Sequence, residues 1–336
     1  MSRRRDPVEE RAGADVDLYD IATWEPRGVL DGVASGIYRV FVASTRLFVV
    51  GVALLILIGI GGLSALTDPQ IGALTLLSAI PAFALAVYVR RSDVTSGEPL
   101  SVLVATFLLG VLTANFAAVL NSYSQGLFAG FGFLGSALFF FLVVGPVEES
   151  VKLLAVRLYA YGHDRFEAVV DGTVYGAVAG LGFATIENAI YITQSLDAPT
   201  ATAGLGLIGA GGGITAVRAL AGPGHVIYSA FAGYYLGLAK FNREHRGPII
   251  VKGLLVAALI HATYNTTVGI GTGLVGLATG LGQLPSFLLY VLLYDGVFGF
   301  VLFRKIRRYN HTYRTVHDDE ASEESAFESE ATEFDP

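Results

Sequence analysis

Ionisable side chains interrupt several long apolar stretches of this sequence, and their types are those that hydrolytic chemistry uses. Carboxylates can accept a proton from water, and imidazole or carboxamide groups can polarise a carbonyl and stabilise its developing charge. An ionisable group inside a membrane helix costs at least about 2.5–3.5 kcal/mol, so each one needs a partner or a function. The residues concerned are Glu148, Glu149, Lys152, Asp171, Glu187, Arg218, His225, His261 and Asp295.

The first group lies in the segment FFFLVVGPVEESVKLLAV. Gly145-Pro146 predicts a kink directly before Glu148 and Glu149, because proline lacks a backbone donor. Glu148 and Lys152 are four residues apart and share a helix face, which favours an ion pair between them. Glu149 points about 100° away, so we expect the two carboxylates to face different neighbours. A structural ion pair between helices is the alternative interpretation.

The other candidates lie in three later apolar segments. In the first, Glu187 and Tyr191 are four residues apart on one helix face, and Asn188 follows Glu187. In the next, Gly222-Pro223-Gly224 predicts a helix break immediately before His225, with Arg218 one or two turns away. The last places His261 and Asn265 four residues apart on one face. A hydrogen-bonded packing role is the alternative for each histidine.

Two kinds of chemistry are open to this set. Glu148 could act as general base while His225, His261 and Asn265 stabilise the oxyanion. Alternatively His225, His261, Glu149 and Glu187 could hold Zn²⁺, a metal that nitrogen and oxygen ligands suit, with a position left for water. The sequence contains no HExxH motif, which excludes a zincin-type motif.

Composition indicates a membrane protein. Of 336 residues, 53% are hydrophobic and 15% charged, whereas soluble chains carry about 25% charged residues. The charges leave no basic face for nucleic acid. We predict an all-α polytopic bundle of about eight spans, since each crossing needs roughly 20 apolar residues. The predicted spans are 46–66, 71–89, 100–120, 134–158, 170–194, 216–239, 250–270 and 284–303.

Arginine and lysine concentrate in alternate connections, which predicts that both termini are cytoplasmic. Residues 1–45 are expected to form a polar N-terminus that includes a helix lying on the membrane interface at 29–45. Residues 46–304 form the transmembrane domain, with its core at 130–270. Residues 305–336 form an acidic cytoplasmic tail that we expect to be disordered.

Four short blocks carry a resemblance to a known family. They are EESVK at Glu148–Lys152, GFATIENAIY at Gly182–Tyr191, RALAGPGH at Arg218–His225 and HATYN at His261–Asn265. Together they resemble the signature blocks of the PrsW family of polytopic intramembrane proteases, which are related to CAAX prenyl endopeptidases and bacteriocin-processing enzymes. The resemblance implies an enzyme of the prokaryotic plasma membrane that cleaves a membrane-anchored protein, such as an anti-sigma-factor-like regulator.

The resemblance also implies roles for individual residues. Glu148 resembles the residue that activates water and Glu149 its partner, with Glu187, His225, His261 and Asn265 completing the catalytic set. Lys152, Asn188, Tyr191 and Arg218 are expected to support them. Glu187 stands where CAAX-type relatives have histidine, so the requirement for Zn²⁺ stays open.

A proton- or ion-coupled transporter that uses Glu148, Glu187 and Asp295 is the alternative function. An inactive scaffold is a third. A protease requires Glu148, Glu149, Glu187, His225 and His261 to meet in one pocket, with Asp295 elsewhere. For Asp295 we expect a structural hydrogen bond to a neighbouring helix.

Overall fold

The computed structural model describes residue 8 and residues 17–20, 22–59, 63–95, 97–196 and 206–333. At 64–65, 206–212 and 317–333 it describes the backbone alone. The described chain is helical. We number its α-helices α1 (Val29–Gly59), α2 (Ser64–Thr67), α3 (Pro69–Arg91), α4 (Leu100–Gln125), α5 (Gly132–Phe139), α6 (Gly145–Leu158), α7 (Val169–Ser195), α8 (Gly206–Phe241), α9 (Arg246–Thr279) and α10 (Gln283–Glu333). Short 3₁₀ turns connect some of them.

The polytopic helical bundle expected from the sequence is confirmed. Within the described ranges, seven helical segments are long and apolar enough to cross a membrane, and they coincide with seven of the eight predicted spans. The remaining predicted span, 216–239, is not among these seven and lies inside α8. The side of the membrane on which the termini lie stays a prediction.

Residues Met1–Val52 form one compact unit and Ala53–Pro336 a second. The helix predicted at 29–45 is not a separate element, because α1 continues without interruption from Val29 to Gly59. Glycine at 36 and 51 does not stop the helix, since an isolated glycine weakens a helix by only about 1 kcal/mol.

In the second unit, α7 lies at the centre and packs against α3, α4, α6 and α8. Its closest neighbour is α8, and glycines make that approach possible. A Cβ atom on Gly176 would overlap the carbonyl oxygen of Ser229, and one on Gly233 would overlap that of Gly172. Small residues of this kind allow membrane helices to bring their backbones together. The two helices carry Glu187 and His225, so the glycine contact determines how these side chains meet.

The two proline segments behave differently. Before Gly145-Pro146 the chain forms a π-helical turn, Phe140–Val144, and α6 then begins with the proline in its first turn. The predicted irregularity is therefore present. At Pro223, however, α8 is continuous, so the predicted break is wrong. Neighbouring membrane helices can stabilise a helix that has lost one backbone hydrogen bond at a proline.

The acidic tail also differs from the expectation of disorder, because α10 extends to Glu333. No proline or glycine follows the last span before that point, and alanine and glutamate favour helix. The tail therefore continues the last helix.

Candidate active site

The first turns of α6 bring three charged side chains into the interior. Glu148, Glu149 and Lys152 are exposed by 4%, 0% and 1% of their surface. Lys152 Nζ lies 2.7 Å from Glu149 Oε1 but 3.8 Å from Glu148 Oε2. The main partner of Lys152 is therefore Glu149, three residues earlier, rather than the predicted Glu148.

His261 of α9 lies between the two glutamates. Its Nδ1 is 2.9 Å from Glu149 Oε1, and its Nε2 is 3.7 Å from Glu148 Oε2. The expectation that the two carboxylates face different neighbours is thus wrong, because one imidazole reaches both. A carboxylate at Nδ1 requires a proton there, so the neutral ring presents its Nε2 lone pair toward Glu148.

His225 of α8 links Lys152 to Glu187. Lys152 Nζ donates to His225 Nδ1 at 2.9 Å, because an ammonium group can only donate. The other nitrogen, Nε2, then carries the proton and lies 3.0 Å from Glu187 Oε2. The Phe183 ring packs beside both partners, 5.3 Å from the imidazole centroid and 4.2 Å from Lys152 Nζ.

Arg218 is the second cation of the site and contacts Glu187. It forms an ion pair with Glu187 and donates from Nε to Asn188 Oδ1 at 2.8 Å. Asn188 in turn donates to Ser78 Oγ at 2.9 Å, and the guanidinium group lies 4.4 Å above the Tyr191 ring. We define the buried ionic network as Glu148, Glu149, Lys152, Glu187, Arg218, His225 and His261.

A cavity of about 890 Å³ opens against this network. Predicted residues that line it are Glu148, Glu187, Tyr191, Arg218, His225, His261 and Asn265. Glu149, Lys152 and Asn188 lie behind that lining. The five residues expected to share one pocket therefore do meet, four at the cavity wall and Glu149 through His261. Asn265 lies at the wall as predicted.

Asp295 is buried outside the cavity lining, where Tyr228 donates a hydrogen bond to its Oδ1 at 3.2 Å. This confirms the expected structural hydrogen bond. The Tyr228 ring packs 5.3 Å from that of His261, so Asp295 supports the site indirectly. The transporter hypothesis needed Asp295 beside Glu148 and Glu187, and the structure places it elsewhere.

Two polar contacts were missed from the sequence. Asn121 Nδ2 donates to Glu148 Oε1 at 3.0 Å, and Ser229 Oγ lies 3.4 Å from Glu149 Oε2. Asn121 was assigned to a loop after position 120, whereas α4 continues to Gln125 and aims this side chain inward. A polar residue at the end of an apolar span was the signal that could have identified it.

The donor set around the cavity fits a metal ion. Glu148, His225 and His261 each place one ligand atom within 4.8 Å of the other two. Glu148 Oε2 is buried and has no hydrogen bond within the described chain. Glu149 and Glu187, which were predicted ligands, instead bind Lys152, His261 and Arg218. Of the predicted metal ligands, the structure therefore brings His225 and His261 together. Glu148 takes the place of Glu149 and Glu187 as the carboxylate ligand. At His225 both ring nitrogens already have partners, Lys152 at Nδ1 and Glu187 at Nε2, so one of these contacts would have to open for a metal to bind.

A membrane-embedded helical bundle with buried carboxylates and imidazoles around a cavity defines the class of intramembrane hydrolases. The family model described as "PrsW family intramembrane metalloprotease" matches residues 98–295. The chain belongs to this family, and it is a multi-pass cell-membrane protein and an intramembrane protease. The match extends on both sides of the 130–270 core.

Curated relatives agree with this family. The chain is 32% identical to Protease PrsW of Bacillus subtilis over 190 residues, covering 55% of this chain and 78% of the relative. It is 33% identical to Protease PrsW of Geobacillus kaustophilus over 188 residues, covering 55% and 75%. For Protease PrsW of Halalkalibacterium halodurans the identity is 31% over 188 residues, covering 55% and 78%. No solved structure matches the chain.

Proposed function

We propose that this enzyme hydrolyses a peptide bond of a membrane-anchored protein, such as an anti-sigma-factor-like regulator, with Glu148 taking the proton of the attacking water. The observation that carries this proposal is the Oε2 atom of Glu148, which has no hydrogen-bond partner among the described residues and is buried at the cavity wall 3.7 Å from His261 Nε2. A carboxylate held in this position can accept a proton from a water molecule in the cavity.

The neighbouring residues hold the proton acceptor and its surroundings in place. Asn121 fixes the other oxygen of Glu148, and Glu149 orients His261 through Nδ1. Asn265 at the cavity wall can donate to a peptide carbonyl, and His261 can do so once its Nε2 has taken up a proton. Lys152 compensates the charge of Glu149, so that the second carboxylate serves as a positioning residue.

The same residues could also hold a zinc-type ion, with Glu148, His225 and His261 as ligands. When bound, such an ion lowers the pKa of a coordinated water and polarises a carbonyl. Glu148 is essential in either case, but the two cases differ in their response to a chelator.

The test is cleavage of a single-span reporter protein in liposomes by wild type and by Glu148→Gln. We expect the variant to lose at least about 100-fold in rate, since general-base catalysis contributes roughly 10²–10⁴-fold. Glu244→Gln, which changes an exposed loop carboxylate, is the matched control and should cleave normally. Product is quantified by mass spectrometry.

A chelator arm separates the two uses of Glu148. Loss of wild-type cleavage in chelator, with recovery on added Zn²⁺, shows that the enzyme needs a metal, and Zn²⁺ binding that Glu148→Gln loses then assigns Glu148 as a ligand. Cleavage that persists in chelator assigns it to proton transfer without metal. Equal cleavage by wild type and Glu148→Gln would overturn the proposal.

A further inference from the structure

Three carboxylates meet at the opposite end of the central helix from Glu187. Asp93 and Glu98 come from the loop between α3 and α4, and Asp171 comes from the first turn of α7. One oxygen of each lies within 4.8 Å of the others. Glu98 and Asp171 are exposed by only 2% and 1%. We call these three residues the acid cluster; none of them lines the active-site cavity.

Several buried oxygen atoms at the acid cluster have no hydrogen-bond partner in the described chain. They include Glu98 Oε1 and Asp93 Oδ2. The hydroxyl of Tyr175, a residue with no exposed surface, is also unpaired, and Asp93, Glu98 and Asp171 are among its electrostatic neighbours. Buried polar groups without partners are rare and usually indicate an ion or a water molecule.

The remaining oxygens of the acid cluster are held in place. Asp93 Oδ1 accepts from the Thr95 amide at 2.7 Å and from its hydroxyl at 2.8 Å. Asp171 Oδ2 accepts from the amides of Glu167 and Ala168 at 2.7 and 2.9 Å. Backbone and hydroxyl groups thus orient two carboxylates, as the surroundings of a metal site orient its ligands.

The charge of the acid cluster is poorly balanced within the described residues. Arg90 Nε lies 3.6 Å from Glu98 Oε2, and 46% of this arginine side chain is exposed. Arg165 Nη2, the other nearby guanidinium group, donates to the Gly97 carbonyl at 3.4 Å. Burial accordingly raises the pKa of Glu98 to about 8. The repulsion among three carboxylates so close together is relieved either by a proton on one of them or by a bound cation.

We propose that the acid cluster binds a hard divalent cation, with Asp93, Glu98 and Asp171 as its carboxylate ligands. Oxygen-only ligands suit Ca²⁺ and Mg²⁺ rather than zinc. Ca²⁺–O distances of about 2.3–2.6 Å allow ligand atoms up to about 5.2 Å apart, and the three oxygens lie within 4.8 Å of one another. The cation would fasten the α3–α4 loop to the helix that carries Glu187.

The test compares thermal unfolding of the purified full chain in detergent with EDTA, with Ca²⁺ and with Mg²⁺. Ca²⁺ at about 100 times its dissociation constant should raise the wild-type Tm by roughly 4 °C. The double variant Asp93→Asn/Glu98→Gln should lose this rise. Its side chains keep their shapes, and the carboxamide oxygen introduced at position 93 can still accept the Thr95 hydrogen bonds, so folding is preserved.

Glu244→Gln is the matched control, because it removes an exposed carboxylate from another loop and should retain the full Ca²⁺ effect. The acidic tail is intact in all variants. A Tm rise of equal size in the double variant would therefore assign the effect to other acids and overturn the proposal. So would a wild-type Tm unaffected by either cation, a result that would favour a proton shared between Asp93 and Glu98.

A Tm rise with Mg²⁺ that exceeds the rise with Ca²⁺, and that the double variant loses, would support the site and change its preferred ion. The assay measures folding rather than cleavage, so its outcome is independent of the role of Glu148.

Discussion

The buried ionic network and the acid cluster both concentrate charge in the same bundle, but they balance it differently. In the network, Lys152 contacts Glu149 and Arg218 contacts Glu187, and His225 connects these two pairs. In the acid cluster, three carboxylates lie beside the half-exposed Arg90 and beside Arg165, which donates to a backbone carbonyl. Two of the three carboxylates in the first region thus have a cation of their own, which can keep a fixed geometry around a cavity where Glu148 lies. The second depends on a charge from outside the chain.

This difference predicts opposite responses to the removal of charge. In a balanced buried network, deletion of one member leaves an uncompensated charge and destabilises the fold. In an unbalanced cluster, deletion of one charge relieves repulsion.

The largest effect on stability is expected from Lys152→Met. It leaves Glu149 buried without its ammonium partner, which should reduce the free energy of unfolding by about 3–5 kcal/mol. Denaturant unfolding in detergent micelles measures this loss. The double variant Glu149→Gln/Lys152→Met should recover part of it, and a double variant less stable than Lys152→Met would show that the pair is not a coupled unit.

A smaller loss is expected from Arg218→Gln. Glu187 would keep His225 but lose its guanidinium partner, and a hydrogen bond to a charged group is worth about 1.5–3 kcal/mol. Arg218→Lys should be intermediate, because an ammonium group cannot reproduce the paired contacts to Glu187 and Asn188. The measurements are unfolding and reporter cleavage. If Arg218→Gln unfolds and cleaves the reporter as wild type does, Arg218 contributes neither to stability nor to activity, contrary to this prediction.

In the acid cluster, removal of charge should raise the free energy of unfolding rather than lower it. In EDTA above about pH 8, where Glu98 ionises, Asp93→Asn/Glu98→Gln should be more stable than wild type by at least about 1 kcal/mol, the repulsion of two unit charges about 4 Å apart in water. Thermal unfolding at fixed pH measures the difference. A large loss of stability in EDTA would show that the described protein neutralises these acids by itself.

The acid cluster should also give a pH dependence of stability in EDTA. Because the pKa of Glu98 is raised to about 8 in the folded state, the folded protein binds more protons than the unfolded one between the two pKa values. Stability should therefore fall as pH rises from about 5 toward 8, where the folded-state pKa lies. Glu98→Gln should flatten this dependence at the upper end. A wild-type profile identical to that of the variant would contradict it.

The sequence was sufficient for the fold class and for most of the site. Apolar stretches near 20 residues located the membrane helices because helix length is matched to bilayer thickness. The four motif blocks located the residues that meet at the cavity, because charged groups in lipid require either partners or a function.

The sequence was less informative about helix ends and proline effects. Pro223 predicted a break that neighbouring helices suppress, and α4 extends past position 120 to bring Asn121 to Glu148. Both outcomes depend on packing between segments, which local sequence does not encode.

By itself, then, the sequence determined that this chain is a polytopic helical membrane protein and which polar residues its interior must hold. Only the tertiary structure decided how those residues pair. Lys152 binds Glu149 where α8 brings His225 to its ammonium group and α9 brings His261 to the Glu149 carboxylate. Asp93, Glu98 and Asp171 form a cluster because a loop between two helices folds over the start of a third, and contacts between such distant segments depend on the packing of the whole bundle.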